Sequence, residues 1–356
     1  MQKSYLFVVA LMVFATACTN NTSSTTKFNK SIIEKDTCDA TNNFYDNEKT
    51  YLLSGNDFIS VSGEIENPGK VNYADLPLHS LIVKETVLQN SENKFIGAYR
   101  YDGYSLSDII NKMILDKKNK DDFRPIIDLY IEIKNDNGES VVFSWGELYY
   151  PIHRHEIIIA TRVMNIVPSK TKEQWTLPTE RKIIVASDLL TERNISNPTK
   201  IIIKSLDCKY KVDREIELHS ETVSIKNSKT ELTILKQLPK DLQEHDFPSI
   251  FYGRGRGIHG VTPFKGGLLK DLLADYYSIG KDDIKNGMIV IAAKDGYRSA
   301  FTVSEIFNRN DQSEVMIIDH NNYQSAGKFS LFCSGDFFSD RAISAISEIR
   351  FLNDKR

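Results

Sequence analysis

The chain has 356 residues, with 45 Lys and Arg against 48 Asp and Glu, a formal net charge of −3 and 26% charged residues. This is the composition of a water-soluble globular protein, and the length suits two domains of ordinary size. The near balance of charge removes any electrostatic ground for nucleic acid as a partner.

The first predicted element is a targeting segment. MQKSYLFVVALMVFATAC holds one lysine, an apolar core from Tyr5 to Phe14, and then Ala15-Thr16-Ala17-Cys18. It is too short to cross a bilayer comfortably. It is similar to a bacterial lipoprotein signal peptide, which implies residues 1–17 as the signal and diacylation of Cys18. An ordinary signal peptide cut near Ala17 is the plainer reading. Residues 18–51 are rich in Asn, Ser, Thr and Lys and read as a polar tether. Two acyl chains would hold the protein on a membrane. The expected location is the bacterial cell envelope, facing the periplasm or the exterior. Such a compartment permits disulfides, but Cys38, Cys208 and Cys333 are odd in number and lack metal-type spacing. A Cys38–Cys208 bridge is one option, and Cys333 in the apolar run FSLFC reads as a buried thiol.

The next elements form a first unit over residues 52–206. Phe58 to Ile65 alternates as a strand, and Asn67-Pro68-Gly69 turns it. Tyr73 to Leu78 is a short element. A glycine turn at Gly103 leads into a helix whose face is Leu106, Ile109, Ile110, Met113 and Ile114. Strands follow on either side of Gly138, then Glu147, a polar loop over residues 166–180, and closing strands at Arg181 to Val185 and Lys200 to Lys204.

A second unit, residues 212–356, repeats the pattern. Glu215 to His219 and Thr222 to Ile225 stand for the first strands, and Leu232 to Leu238 for the short element. Leu269, Leu272, Leu273, Tyr276 and Tyr277 match the earlier helix face. Met288 to Ala293 is a continuous apolar strand, Lys294-Asp295-Gly296 a turn, and Ser299 to Val303 the return strand before Glu305. Lys328 to Cys333 and Ser347 to Leu352 close the unit. The spacings agree: Gly103 to Asp108 with Gly266 to Asp271, Gly138–Phe143–Glu147 with Gly296–Phe301–Glu305, and Arg193–Ile201 with Arg341–Ile349. The period is too long for a solenoid, so the expectation is two globular copies of α+β class.

These residues resemble a known family. VSGEIENPGKVNYADLP, YDGYSLSDII and NDNGESVVFSWGEL, with GGLLKDLL and KDGYRSAFTVSEI in the second unit, look like the molybdopterin-binding domain of the sulfite oxidase family. The resemblance covers nearly all of both units. It implies two tandem, mixed but β-rich domains of that fold. It also implies a molybdenum-ligating cysteine before the glycine turn. Here those segments, TVLQNSENKFIGAYRYDG and HDFPSIFYGRGRGIHGVTPFKG, contain none. A hydroxyl or amide is a poor substitute for a soft thiolate. No cofactor is the expectation, and a molybdopterin is the one that the resemblance makes possible.

Three groups of candidate residues remain. Tyr252-Gly253-Arg254-Gly255-Arg256-Gly257-Ile258-His259 alternates glycine with cations, so backbone N–H groups, Arg254, Arg256 and His259 could hold an anion beside Tyr252. Arg341 is added because an arginine near that strand faces the cofactor in the family. His153 and His155 would share a strand face and could bind a metal, with no third ligand identifiable. Glu147 and Glu305, three residues after Ser144 and Thr302, read as capping boxes, with a general base as the alternative. Arg193 and Arg341 read as partners of buried carboxylates. The preferred function is a lipid-anchored envelope protein that binds a small or anionic ligand, or an envelope protein, without catalysis. The alternatives are a molybdopterin-dependent oxidoreductase with a non-cysteine metal site and a purely structural module.

Overall fold

The computed structural model describes residues 48–168, 170–228, 230–320 and 327–352. The signal segment, Cys18, Cys38 and most of the tether lie outside the described residues.

Strands dominate. The described chain runs β1 (Tyr51–Leu52), β2 (Phe58–Gly63), β3 (Gly69–Asn72), β4 (Leu78–Gln89), β5 (Glu92–Ser105), α1 (Leu106–Ile110), β6 (Leu129–Asn135), β7 (Ser140–Ser144), α2 (Trp145–Tyr149), β8 (Ile157–Asn165), β9 (Lys182–Val185) and β10 (Pro198–Ser205). It continues through β11 (Val223–Lys226), β12 (Glu231–Leu235), β13 (Glu244–Gly253), β14 (Gly257–Leu268), α3 (Leu269–Ala274), α4 (Lys281–Asn286), β15 (Met288–Ala293), β16 (Arg298–Thr302), α5 (Val303–Phe307), β17 (Val315–Asp319), β18 (Phe329–Cys333) and β19 (Ile346–Phe351).

The expected α+β fold of two tandem sulfite-oxidase-like domains is therefore corrected. The described residues are 46% strand and 11% helix, in four small sheets with a β-propeller-like arrangement. The physical reason is visible in the helices, which are single turns of five or six residues. In α1 the helical face stops at Ile110. Met113 and Ile114 belong to the loop beyond it, where Ile114 is exposed and its carbonyl accepts from the Glu66 N–H. Two long hairpins, β4–β5 and β13–β14, occupy chain that carries little apolar alternation. Glu215 to His219 is not a strand.

The sheets come in two matching pairs. The order β3-β2-β10-β6-β7 recurs as β12-β11-β19-β15-β16, with β10 parallel to β2 as β19 is to β11. The other pair joins hairpin β4–β5 to β8 and β9, and hairpin β13–β14 to β17 and β18. Gly103 and Gly266 are strand residues, not turns. A Cβ on Gly103 would lie 2.2 Å from the Ile159 carbonyl oxygen, and one on Gly266 2.4 Å from that of Ile317. Both positions need glycine because the neighbouring backbone crosses there.

One core gathers Ile59, Leu106, Ile109, Ile131, Phe143 and Ile201, and a second gathers Val223, Leu269, Leu272, Ile291, Phe301 and Ile349. They meet through a smaller apolar cluster of Val142, Leu206, Met288, Val290 and Ala300. Around it the Ala300 N–H donates to the Ile127 carbonyl at 2.8 Å, and Arg298 reaches Asp128 at 3.1 Å with both side chains buried. The junction is thus specifically paired, and its apolar cluster opens on one side to a polar cavity of about 570 Å³.

Candidate functional site

Beside this junction lies an apolar cleft of about 380 Å³. Its walls come from the first half: Ile110 at the end of α1, Met113 just after it, and Trp145 and Tyr149 on α2. The Trp145 and Tyr149 rings stack at 4.5 Å. The Tyr149 hydroxyl donates to Asn111 Oδ1 at 3.1 Å. The second half contributes Phe338 and Arg254. A concave, mainly apolar surface with a few polar groups is the usual form of a small-molecule site.

Two donor-bearing residues are part of its lining. The Tyr150 side chain is buried, and its hydroxyl has no hydrogen-bond partner among the described residues. Burial, with Asp340 adding, pushes the phenol up to about 12, so it stays a neutral donor. Arg254 sits in the turn between β13 and β14 with its side chain about half exposed. Its Nε lies 4.0 Å from Asp340 Oδ1, a contact at the edge of ion-pair range. A guanidinium has five N–H donors, so most of its capacity remains for a ligand.

The remaining residues singled out in the glycine-rich segment are placed differently. Tyr252 packs on Phe337 and Phe338, with ring centroids 5.5 and 6.3 Å apart, and so backs the cleft wall. Arg256 is exposed in the turn. His259 lies edge-on to Phe251 at 5.4 Å and fills the space over Gly253, where a Cβ would meet its Nε2 at 2.3 Å. The structure thus brings Arg254 and Tyr252 to one place, without Arg256 and His259.

Arg341 is 2% exposed and already engaged. It donates to Asp336 at 2.6 and 2.7 Å and to Glu305 at 2.5 Å. Arg193 repeats the arrangement with Asp188 at 2.7 and 2.8 Å and Glu147 at 3.0 Å. Glu147 and Glu305 are the acidic members of capping boxes begun by Ser144 and Thr302. The two sets cross over: Ser144 Oγ donates to Glu305 at 2.8 Å, and Thr302 Oγ1 to Glu147 at 3.3 Å. This buried belt joins the halves. It holds four carboxylates against two arginines, an excess of negative charge in a low-dielectric place. Burial, then Glu305 and Asp188, push the Glu147 carboxyl up to about 7 against the pull of Arg193. Asp336 is likewise raised, by burial first, against Arg341.

His153 and His155 do not share a strand, because β8 begins only at Ile157. His155 has φ +67° and stacks instead on His79, with centroids 4.2 Å apart.

Sequence reasoning missed Trp145, Tyr150, Asn111 and Phe338, whose side chains meet only in the folded chain. It also missed Asp188 and Asp336, although each stands five residues before its arginine in matching segments, DLLTER and DFFSDR. That repeat was a readable signal.

A molybdenum centre of the expected kind needs a thiolate. Cys333 is buried, donates to the Arg341 carbonyl at 3.7 Å, and has its thiol pushed well up by burial. Cys208 is partly buried among Leu206 and Tyr210 near the junction, and burial raises its thiol too. Neither lines the cleft. The described residues do not fit a thiolate-ligated molybdenum. Comparison with protein-family models and with curated proteins finds no match for this chain.

Proposed function

We propose that the protein binds a small, largely apolar carboxylate, non-catalytically, in the cleft between its halves. The observation that carries this reading is the pairing of an apolar cavity with two donor-bearing residues in its lining, Tyr150, whose buried hydroxyl has no hydrogen-bond partner among the described residues, and the loosely held Arg254. The ring system of such a ligand lies against Trp145 and Tyr149, where apolar burial contributes roughly 25 cal/mol per Å². Its carboxylate accepts from Arg254 and Tyr150, and a charge-assisted bond there selects anions over neutral analogues. The signal segment and Cys18 support a site of action at the cell envelope, on a lipid anchor facing the periplasm or exterior.

The test is a thermal-shift and fluorescence screen of aromatic and aliphatic carboxylates against their amides. Trp145 lines the cleft, so a bound ring alters its emission, and a specific ligand raises Tm by linkage. Arg254→Ala should reduce the response to carboxylates and leave the basal Tm unchanged. Carboxylates and amides acting alike, or an unaltered response in Arg254→Ala, would refute the reading. For the anchor, acyl-chain labelling should be lost in Cys18→Ala.

A further inference from the structure

The geometry points to a second site, separate from the cleft: His79, Asp108 and His155 bind a divalent transition-metal ion of the zinc class. The three come from separate elements, β4, α1 and the loop before β8. His79 Nε2 lies 2.8 Å from Asp108 Oδ2, and His155 Nδ1 lies 3.6 Å from the same oxygen. All three ligand atoms lie within 4.8 Å of one another. With bonds of about 2.0–2.1 Å, adjacent ligand atoms on a tetrahedral zinc stand about 3.3 Å apart. The two distances to Asp108 bracket that value, and binding requires the two histidine rings to rotate from their stacked arrangement.

The chemistry of the donor set narrows the ion. Two imidazoles and one carboxylate suit zinc and its neighbours, whereas magnesium and calcium prefer all-oxygen shells. The side chains are 23%, 17% and 30% exposed for His79, Asp108 and His155, enough to admit an ion and let water complete its shell. The local backbone is shaped for this arrangement. His155 adopts φ +67°, a conformation uncommon for a residue with a side chain, and this turns its ring onto His79. Ser105 Oγ caps α1 by accepting from the Asp108 N–H, and also lies 2.9 Å from His155 Nδ1. It therefore fixes the backbone of Asp108, while its contact with His155 Nδ1 is one that a bound metal would replace.

A nucleophilic use of this cluster fits less well. Ser105 and Ser107 are buried, and both they and Asp108 face the same nitrogen of His155. A base that activates a hydroxyl uses one ring nitrogen for the hydroxyl and the other for the carboxylate. Two imidazole nitrogens gathered on one carboxylate oxygen suit a shared cation, for which the stacked rings must turn out of parallel so that both lone pairs meet the ion.

The experiment is metal titration of the chelator-stripped full chain with zinc, and with cobalt(II) for its visible absorption. One equivalent should bind, with a rise in Tm and a cobalt spectrum of four- or five-coordinate nitrogen–oxygen type. His79→Gln and His155→Asn should each weaken binding roughly tenfold or more, since even outer-shell changes cost about 10–100-fold. Asparagine tolerates the φ of residue 155, so the metal-free Tm of that variant should match the parent and separate a lost ligand from a lost fold. Absence of stoichiometric binding, or equal binding by both variants and the parent, would overturn the proposal. So would magnesium or calcium competing on equal terms.

Discussion

Replacing Arg341 by methionine separates a structural arginine from a ligand-binding one. Methionine fills much of the stem's volume, so the perturbation is electrostatic. It leaves Asp336 and Glu305 without the guanidinium that now lies 2.6 and 2.5 Å away. Removing one partner of a buried pair costs about 3–5 kcal/mol, because the remaining charge is stranded in a low-dielectric interior. Here two carboxylates are stranded. The raised Asp336 carboxyl can take up a proton and relieve part of the penalty, so about 4 kcal/mol is the working figure. At about 2.1 cal/mol/K of unfolding entropy per residue, each kcal/mol lowers Tm by about 1.5 °C in a chain of this size, which makes the expected drop roughly 6 °C near neutral pH. Mild acid should recover part of it. The assay is a calorimetric melt of parent and variant, paired with the carboxylate-induced rise in Tm. A variant melting within about 2 °C of the parent would refute the claim that the belt holds the halves together. If that variant also lost its carboxylate response, Arg341 would be a ligand contact after all.

Other expectations follow from the same geometry. Glu147 titrates near 7 in the folded protein and near 4.5 when unfolded; the folded state therefore holds an extra proton between those values, and this group's contribution to stability falls as pH rises from about 4.5 to about 7. In Glu147→Gln, urea unfolding across that range should lose this component of the slope, and an unchanged slope would count against the raised carboxyl. Gly146→Ala should lower Tm although alanine favours a helix by about 1 kcal/mol, because its Cβ would meet Arg341 Nη1 at 2.2 Å and that guanidinium is pinned by Asp336 and Glu305; a rise in Tm would show that the belt yields easily. Tyr150→Phe removes a hydroxyl that has no partner among the described residues, so thermal stability should hold or increase while carboxylate affinity falls; a loss of stability would reveal a partner for that hydroxyl.

Local and short-range features were legible in the sequence. Met288 to Ala293 is apolar without a break and is β15, buried throughout. Ser144 and Thr302 each precede a glutamate by three residues, and both capping boxes form, because a cap depends on one turn of backbone. The matching spacings around Gly103 and Gly266 were visible too, but their meaning was not. They permit a neighbouring strand to cross, which no local pattern encodes. The fold class was misjudged for a related reason. Residues at helical spacing, such as Leu106, Ile109, Ile110 and Met113, satisfy a helix only where hydrogen bonds continue; here β5 claims the chain up to Ser105, and beyond Ile110 the chain turns, with the Met113 N–H bonded to the Ile110 carbonyl and the Ile114 N–H to Asn67.

The tertiary structure alone decided the site. Arg254 was visible as a cation among glycines, but its neighbours Trp145, Tyr150 and Phe338 lie about 85 to 110 residues away along the chain. His155 was visible as one of a near pair with His153, and folding matched it instead with His79 and Asp108. Sequence sets which chemical groups are present and the conformation of single turns. Which groups meet depends on packing between distant segments, because burial rewards any apolar contact without specifying its partner.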